Sequence, residues 1–466
     1  MISNKATGSL TSIVATYIDE VSFKDIPRKV IEPIKDSLID AIGCGVIGST
    51  SRHVEILTGY FTEMRSAEES VIWGTSKMAC APFAAAANSA AIHAWDFDDT
   101  ILPGPTHPAG IMDSTALSIA EKMKKNVSGK EFLTAIIAGY EISNLMAAAL
   151  GGAKWRLLGF YNTVPVVFGS AAVAGKLLGL DKEKLAGALG IAATQAAGLY
   201  SATMTKRLNA PKAVEAGIYA AELANRGFEA PLDGIGDEQG FLKTFSRDPQ
   251  WDVIPREIGK YAFEVYHKIY PCIRSNQPGI YAVSLLRDEH PKDIKAETIK
   301  KITVYADELT RMFTIGTPGG GTTVKTVGNA LVSLPYCVAA MIVDGKLTLD
   351  QFTEEKVKNP VIQGLLKKVE ILVDAEIADL PVTKRYRATV EIELDNGMTY
   401  RKLCPAPKGD PTNRMSKIEM YDKYIGNTTT VFDKKKMDDL FKLLENIEEI
   451  GDVRKIAKFL LNEPGY

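Results

Sequence analysis

The sequence has few cysteines, and they form no recognisable metal or redox motif. The five cysteines, at positions 44, 80, 272, 337 and 404, lie far apart and include no C-x-x-C pair. Zinc ribbons, thiol redox motifs and disulfide frameworks all bring cysteines together in recurrent spacings. The pattern argues against these classes and fits a reducing compartment. Because the first twenty residues contain neither an arginine nor an apolar run of signal-peptide type, we expect a cytoplasmic protein.

An excess of charge of either sign is also missing. The chain has 55 Lys and Arg against 57 Asp and Glu, a net charge of -2. Proteins that attract nucleic acid or anionic membranes over long distances are usually strongly basic. We therefore expect neither a nucleic-acid nor a membrane partner, and any anionic ligand must be held by a local cluster of cations.

Helical periodicity dominates the first part of the chain. Apolar residues recur at helical spacing over 10–48, and helical patterns continue over 81–95, 129–153, 170–178, 182–202 and 212–226. Their faces are rich in Ala and Gly, which allow helix backbones to approach closely. We predict a bundle of tightly packed interior helices.

Beyond residue 261 the pattern changes to a mixture of strands and helices. Strand-like alternation occurs at 299–305 and 369–373, and a hairpin is predicted at 386–403 around Asp395-Asn396-Gly397. Helical patterns at 279–287 and 329–343 lie among these strands, and the chain turns helical again from Lys417. We predict a mainly α protein with an all-helical domain over 1–267, a smaller α+β lid domain over 268–404 and C-terminal helices over 405–466.

A polar cluster follows the alanine-dense segment 81–94. Two of the five histidines, His93 and His107, and three carboxylates, Asp96, Asp98 and Asp99, lie within fifteen residues of one another on a Pro/Gly-containing loop. Such a loop suits proton transfer, and the alternative is a helix end followed by a solvated acidic turn. The spacing fits neither the His-x-Asp iron triad nor an EF-hand, so we predict no metal.

Two basic clusters could hold an anion. Lys206 and Arg207 follow an uncharged stretch, and Lys268, Arg274 and Gln277 lie within a run of polar residues from Tyr266. Arg can grip a carboxylate with two hydrogen bonds, and Lys can stabilise developing negative charge. The alternative is that both clusters are solvated helix ends. The run 316–325 fails the phosphate-loop pattern and is interpreted as a loop beside a site or a passive surface loop.

The polar cluster carries a resemblance to a known family. The run 94–100, Ala-Trp-Asp-Phe-Asp-Asp-Thr, followed by Thr-His-Pro-Ala-Gly at 106–110, resembles the MmgE/PrpD family, which includes 2-methylcitrate dehydratases, cis-aconitate decarboxylases and an iminodisuccinate epimerase. Similar segments recur in family order over nearly the whole chain: Phe23–Pro27, Asp40–Gly43, Gly139–Glu141, Gly159–Thr163, Leu223–Phe228, Lys268–Cys272 and Ser333–Tyr336.

The resemblance implies a large helical domain rejoined by the C-terminal helices, a smaller α+β domain, a homodimer and a site without metal or organic cofactor. Five positions fall on residues that family members use for binding or catalysis: Asp96, Thr100, His107, Lys206 and Tyr336. Two positions depart from the family. Tyr161 and Gln277 stand where decarboxylases and dehydratases of the family typically have histidine. These two replacements argue against dehydration of 2-methylcitrate and against decarboxylation of cis-aconitate.

The chemistry we expect is proton abstraction from a carbon next to a carboxylate. His107 is the candidate base, with Asp96 orienting it or holding a substrate hydroxyl through Thr100. Lys206 and Arg274 would stabilise the developing charge, and Tyr161 or Tyr336 would donate a proton. Lys268, Arg207 and Gln277 are expected to bind the small carboxylate substrate, whereas His93 is expected only to pack or cap. We expect a hydro-lyase, with an epimerase, a decarboxylase or a non-catalytic carboxylate-binding homologue as alternatives.

Overall fold

The structure, a computed structural model, describes residues 8–152, 154–200, 205–315 and 321–462. The chain divides into two compact units, which we call the helical unit and the mixed unit. The helical unit comprises Met1–Ala94, Asp98–Val265 and Lys417–Tyr466, and the mixed unit comprises Trp95–Phe97 and Tyr266–Ser416. The predicted fold class, mainly α with a smaller α+β part, is confirmed.

The helical unit is built from closely packed helices. Their bounds are α1 Leu10–Glu20, α2 Arg28–Gly48, α3 Arg52–Glu63, α4 Ala81–Ile92, α5 Ala109–Lys122, α6 Gly129–Ala149, α7 Val166–Leu178, α8 Lys182–Gln195, α9 Lys206–Asn225, α10 Phe241–Phe245, α11 Val253–Glu257, α19 Lys417–Thr428, α20 Lys434–Glu445 and α21 Arg454–Leu460. Short strands β1 Ser70–Val71 and β2 Met78–Ala79 pair antiparallel, and β3 spans Thr100–Leu102. A further strand, β4 Glu264–Tyr266, lies where the chain passes into the mixed unit.

Small residues set the spacing between these helices. A Cβ atom on Gly48 of α2 would lie 1.8 Å from the carbonyl oxygen of Ala91 in α4, and one on Gly139 of α6 would lie 2.6 Å from Met112 Sδ. Such distances leave no room for a side chain, so glycine permits the close crossings that the composition predicted. Helix α6 is long and apolar enough to cross a membrane, but 94% of its apolar window is buried inside the structure, as in a core helix.

The largest errors in the predicted helix boundaries lie at the end of α8 and at the start of α9. Helix α8 ends at Gln195 rather than continuing to residue 202, because the following backbone pairs with another segment: Tyr161 N donates to Gly198 O at 3.0 Å, and Tyr200 N donates to Gly159 O at 2.7 Å. Helix α9 begins at Lys206 rather than 212, with Pro211 inside it. Pro211 is the sixth residue of this helix and has no N–H to donate to the carbonyl oxygen of Arg207, so one hydrogen bond is missing in the second turn.

The mixed unit contains a four-stranded sheet in the order β6-β5-β7-β8. The central strand β5 Ile299–Ala306 runs parallel to β6 Val369–Val373 and antiparallel to β7 Ala388–Leu394, which forms a hairpin with β8 Thr399–Cys404. The helices of this unit are α12 Gln277–Glu289, α13 Glu308–Ile315, α14 Val327–Ala330, α15 Leu334–Asp344, α16 Glu354–Val357, α17 Pro360–Leu365 and α18 Ala375–Ala378. Helix α12 packs on β7, β8 and α15 around one apolar core.

The helix predicted over 329–343 is interrupted. The break falls at Leu331–Ser333, where the Ser333 hydroxyl accepts a hydrogen bond from Tyr336 N at 3.1 Å and caps the start of α15. Serine followed two residues later by Pro335 is a common helix start, and here this local signal outweighs the continuous apolar pattern.

Candidate active site

The loop between α4 and α5 carries the polar cluster and is held at both ends by hydrogen bonds. Ile101 N donates to Thr106 O at 3.1 Å, which closes the turn around Pro103 and Gly104. Asp99 Oδ1 accepts a hydrogen bond from Ala109 N at 3.2 Å, so this carboxylate caps the first turn of α5. His107, which lies between these two anchors, is therefore fixed in backbone position.

Asp99 is the most strongly bonded carboxylate of this loop. Its Oδ2 atom accepts hydrogen bonds from Tyr140 OH at 2.7 Å and from Ser37 Oγ at 3.2 Å. Burial, and next the charge of Asp98, raise the pKa of Asp99 to about 7, against the opposing effect of the bonds from Tyr140 and Ala109. Asp99 therefore changes its charge near neutral pH.

His107 has one ring nitrogen committed to the backbone. Its Nδ1 atom lies 2.8 Å from the carbonyl oxygen of Asp99. A carbonyl oxygen can only accept, so Nδ1 must carry the proton and, in the neutral ring, Nε2 carries the lone pair. The His107 side chain is 16% exposed, the most accessible group of the cluster. This arrangement presents Nε2 as the basic atom.

Asp98 is enclosed by two histidines. Its Oδ2 atom lies 2.7 Å from His93 Nδ1 and 3.4 Å from His107 Nδ1, and its side chain is fully buried. The two imidazole rings meet edge to face with centroids 5.9 Å apart. The expectation that His93 only packs or caps was therefore incomplete, because His93 contacts the carboxylate that also contacts the candidate base.

Tyr161 lies beside the same histidines. Together with His93, His107 and five further residues, Ile111, Asn162, Thr163, Val166 and Ala210, it lines a cavity of about 10 Å³. A cavity of about this size holds one water molecule. The cavity is held in shape by Thr163 Oγ1, which donates to Ala197 O at 3.1 Å, and by the backbone pairing of Tyr161. His107 and Tyr161 therefore face a common space within the helical unit.

Thr100 lies at the start of β3. Its side chain is buried, and its hydroxyl has no hydrogen-bond partner among the residues that the structure describes. A buried unpaired hydroxyl costs stability, which is typical of a group kept for a ligand or for a bound water.

The structure places the start of α9 next to the end of α4. Arg207 Nε donates to the carbonyl oxygen of Ala94 at 2.7 Å, so this cation holds the chain just before the polar cluster. Lys206 is the first residue of α9. The structure does not describe the Lys206 side chain. Residues 316–320 of the run 316–325 also lie outside the described residues.

Within the mixed unit, Lys268 pairs with Asp96. Lys268 Nζ lies 2.8 Å from Asp96 Oδ1 and 2.7 Å from the Asp96 carbonyl oxygen, and its side chain is fully buried. Asp96 has a left-handed backbone with φ +53°, which is uncommon outside glycine. The two hydrogen bonds from Lys268 Nζ stabilise this backbone conformation of Asp96. His107 Nδ1 contacts Asp98 and the Asp99 carbonyl. The orienting role that we expected of Asp96 stays a prediction.

Arg274 is enclosed by aromatic rings. Its guanidinium lies 3.4 Å from the Tyr266 ring centroid and 4.6 Å from that of Tyr386, and its NH2 group is 3.5 Å from Asp410 Oδ2. Burial lowers the pKa of Arg274. The contacts are those of a cation–π stack closed by a weak ion pair.

Gln277 and Tyr336 occupy packing positions in the mixed unit. Gln277 binds both backbone groups of Tyr270: its Nε2 donates to the carbonyl at 2.9 Å and its Oε1 accepts from the amide at 3.2 Å. The Tyr336 hydroxyl donates to the carbonyl oxygen of Gln351, and burial raises its pKa. Because these donors already have internal partners, we assign neither residue a step in the reaction proposed below.

Sequence reasoning found the loop but missed the roles of His93, Asp98 and Asp99. The available signal was their presence in the same run as Asp96 and His107. Neighbouring residues of an irregular loop point in different directions, which a pattern of residue types does not resolve.

The comparisons with known proteins agree on one family. Residues 12–254 match the MmgE/PrpD N-terminal domain, and residues 270–448 match the MmgE/PrpD C-terminal domain. The chain belongs to the MmgE/PrpD family, as the resemblance indicated.

Several relatives align along almost their whole length. The chain is 27% identical to cis-aconitate decarboxylase of Homo sapiens, covering 97% of this chain and 94% of that protein. It is 26% identical to cis-aconitate decarboxylase of Aspergillus terreus, covering 99% and 98%. It is 23% identical to 2-methylcitrate dehydratase of Escherichia coli strain K12, covering 92% of both.

Proposed function

We propose that the protein is a cofactor-independent lyase of a small di- or tricarboxylate, and specifically a hydro-lyase. The observation that carries the proposal is the hydrogen bond from His107 Nδ1 to the Asp99 carbonyl, which makes Nε2 the basic atom beside a cavity shared with Tyr161. The names of the relatives, a decarboxylase and a dehydratase, support the lyase class and a carboxylate substrate.

The first step is proton transfer from the carbon next to a substrate carboxylate to His107 Nε2. The C–H electron pair moves onto that carbon and is delocalised into the carboxylate. Fixed donors and cations can lower such a barrier by several kcal/mol, about 2.7–4 for one well-placed donor. Lys206 is our candidate for this role, and the Thr100 hydroxyl is a second donor suited to a substrate oxygen.

The second step removes the hydroxyl group from the neighbouring carbon. The C–O bond breaks, the carbanion electrons form the C=C bond, and Tyr161 supplies the proton that turns the departing hydroxide into water. The proton held by His107 then returns to Tyr161, directly or through the water that the cavity can hold. No oxidant or reductant is needed.

The shared cavity also favours a second candidate, an epimerase of a substituted succinate. If His107 and Tyr161 face opposite sides of one carbon, His107 removes a proton and Tyr161 returns another to the other face. Tyr161 must lose its proton for the reverse direction, so a nearby cation has to lower its pKa.

The higher identity to cis-aconitate decarboxylases favours a third candidate. In a decarboxylation the C–C bond to a carboxylate breaks, carbon dioxide leaves, and His107 in its protonated form supplies the proton to the resulting carbanion. Tyr161 and Gln277, which replace histidines typical of decarboxylases, are the residues that separate this candidate from the relatives.

A panel of 2-hydroxy, unsaturated and 2-amino polycarboxylates in heavy water tests the three reactions together. Formation of an alkene with loss of water supports the hydro-lyase, deuterium incorporation with inversion supports the epimerase, and carbon dioxide release supports the decarboxylase. No change in any compound would contradict catalysis and leave a carboxylate-binding protein.

His107→Ala identifies the base in the same assay. We expect it to abolish both exchange and turnover, with His290→Ala as the matched control because His290 stacks on Tyr400 in the mixed unit, 4.1 Å between centroids. Exchange at the wild-type rate in His107→Ala would contradict the base assignment. A homodimer and a cytoplasmic location remain predictions, and light scattering on the purified protein tests the first.

A further inference from the structure

The contacts around Asp98 separate two functions that a single carboxylate often performs in catalytic triads. In those triads the carboxylate accepts the Nδ1–H bond of the histidine and stabilises its positive charge. Here the Asp99 carbonyl accepts that bond at 2.8 Å, whereas Asp98 Oδ2 lies farther away, 3.4 Å from the same nitrogen. The carbonyl sets the tautomer, and Asp98 contributes charge.

His93 fixes this carboxylate from the other side. Its Nδ1 atom lies 2.7 Å from Asp98 Oδ2, closer than His107 does, and its ring is 2% exposed. A Cβ atom on Gly110 of α5 would lie 2.5 Å from His93 Nε2, so α5 leaves the ring no space to turn away. His93 is thereby packed directly against the Asp98 oxygen that also contacts His107.

We propose that Asp98 is a positioning residue that acts as the counterion of His107, with His93 holding it in place. The inference rests on the proposed function, in which His107 accepts the substrate proton. When Nε2 gains that proton the ring becomes a cation, and a negative charge within about 4 Å stabilises it. The carboxylate therefore makes His107 a stronger base without touching the substrate.

Other titratable groups lie near this pair, and most of them have partners of their own. Asp99 from the loop and Tyr140 from α6 bond to each other, and Asp40 from α2 pairs with Lys423 of α19 at 2.6 Å. Asp113 from α5 is fully buried, and burial, with the charge of Asp99 next, raises its pKa well above the usual value. Tyr161 from the segment before α7 lines the same cavity as His107. Asp96 of the same loop pairs with Lys268 at 2.8 Å. Of these, Asp98 is the carboxylate whose oxygen lies within 4 Å of His107.

Asp98→Asn tests the proposal, with Asp113→Asn as the matched control. Both exchange a buried aspartate for its amide, but only the first changes a side chain with an oxygen 3.4 Å from His107 Nδ1. The chain has five histidines, so the ring nitrogens of ¹⁵N-histidine-labelled protein can be assigned and titrated. In Asp98→Asn we expect the His107 midpoint to fall by about one pH unit. Asp113→Asn should leave it unchanged.

Steady-state kinetics give the matching readout. For Asp98→Asn we expect kcat to fall about tenfold with KM changed less than twofold, because the residue does not touch substrate. The acidic limb of kcat/KM should move to lower pH by the same amount as the His107 midpoint. A loss of kcat without movement of the midpoint or of the acidic limb would overturn the proposal and leave Asp98 as a packing residue.

If Asp98→Asn fails to fold, the wild-type titration still decides. The proposal requires His107 to bear its proton on Nδ1 at neutral pH and to titrate above the ordinary histidine value of about 6.5. An Nε2–H tautomer, or a midpoint below that value, would refute it. Because these spectra need no substrate, a shifted midpoint with no turnover in any variant would reject the proposed reaction while the Asp98–His107 coupling stood.

Discussion

Glu141, a buried carboxyl group on α6, ties down the chain ahead of β4. Its Oε1 atom accepts hydrogen bonds from Gly259 N at 2.9 Å and from Tyr261 N at 3.2 Å. Burial raises the pKa of Glu141 to about 7, and the two amides oppose the rise without cancelling it. The folded protein therefore keeps a proton on Glu141 at pH values where the unfolded chain has lost it.

This difference predicts the sign of a pH effect on stability. Because the folded pKa of about 7 exceeds the ordinary value of 4.5, the contribution is complete below pH 4.5 and is lost as the pH rises through 7. Its size is about 3 kcal/mol, from about 1.4 kcal/mol per pH unit. Gln can accept the same two bonds without ionising. We expect Glu141→Gln to lose fewer degrees of melting temperature than the wild type between pH 5 and pH 8, measured by differential scanning fluorimetry.

Glu63→Gln is the control for this prediction, because Glu63 is exposed at the end of α3. Its melting curve should follow that of the wild type at every pH. If Glu141→Gln shows the same pH dependence as Glu63→Gln, the buried proton on Glu141 does not contribute.

Tyr161 offers a test of the second proton in the reaction. Tyr161→Phe keeps the ring that lines the cavity and removes only the hydroxyl. We expect deuterium exchange at the substrate carbon to persist, because His107 is intact, and dehydration to fall about 100-fold, within the usual contribution of a general acid. Parallel loss of exchange and dehydration would show that Tyr161 is not confined to the second step. Mass spectrometry of the recovered substrate measures both.

Among the elements, α19 is tied to α2 by a buried ion pair. Lys423 Nζ lies 2.6 Å from Asp40 Oδ1, with the two side chains 6% and 1% exposed. Removing one partner of such a pair leaves an uncompensated buried charge, at a cost of about 3–5 kcal/mol. We expect Lys423→Met to lower the free energy of unfolding by about that amount in chemical denaturation.

The comparison variant is Lys434→Met. Lys434 pairs with Asp438 at 3.0 Å on the surface of α20, with side chains 60% and 28% exposed. Exposed pairs contribute less than about 1 kcal/mol. The double change Asp40→Asn and Lys423→Met should recover part of the loss. Equal effects of the two lysine substitutions would contradict the importance of the buried pair.

The elements that sequence reasoning placed well have strong local periodicity. The strand at Val369–Val373 has the predicted bounds, and β5 extends the strand predicted at 299–305 by one residue. One error falls where distant backbone intervenes, at 196–200, whose pairing with 159–161 is invisible in the local pattern. Helix α5 was not predicted from the sequence. Its Ala- and Ser-containing sequence is buried on all sides, so it lacks the contrast between an apolar and a polar face that marks an amphipathic helix.

In the candidate site, the sequence identified the loop but not which of its carboxylates contacts His107. The run 93–110 could be recognised from its residue types, and the family motif marked His107. Which of Asp96, Asp98 and Asp99 contacts His107 depends on loop dihedral angles, including the left-handed Asp96. Asp96 pairs with Lys268 and Asp98 contacts the two histidines, although the two carboxylates are only two positions apart in the sequence.

In the whole molecule, the helical unit is assembled from three separate stretches of chain. Its last stretch buries Met420, Tyr424, Met437, Leu440, Phe441 and Leu444. We expect deletion of 417–466 to yield insoluble protein, because the surfaces that these side chains cover on the helical unit would be exposed to water. Lys417→Ala, at a position 89% exposed, should remain soluble. A soluble truncated chain with the native circular dichroism spectrum would contradict this.

The order of these stretches has a consequence for synthesis. A chain leaves the ribosome from its N-terminus at about 5–20 residues per second, and domains generally fold as they emerge. The helical unit cannot do so, since α19, α20 and α21 leave last, after the whole of Tyr266–Ser416. Until then the faces of α2 and α5 on which these three helices pack lack their cover. The nascent protein therefore spends most of its synthesis as a client for chaperones that shield apolar surface.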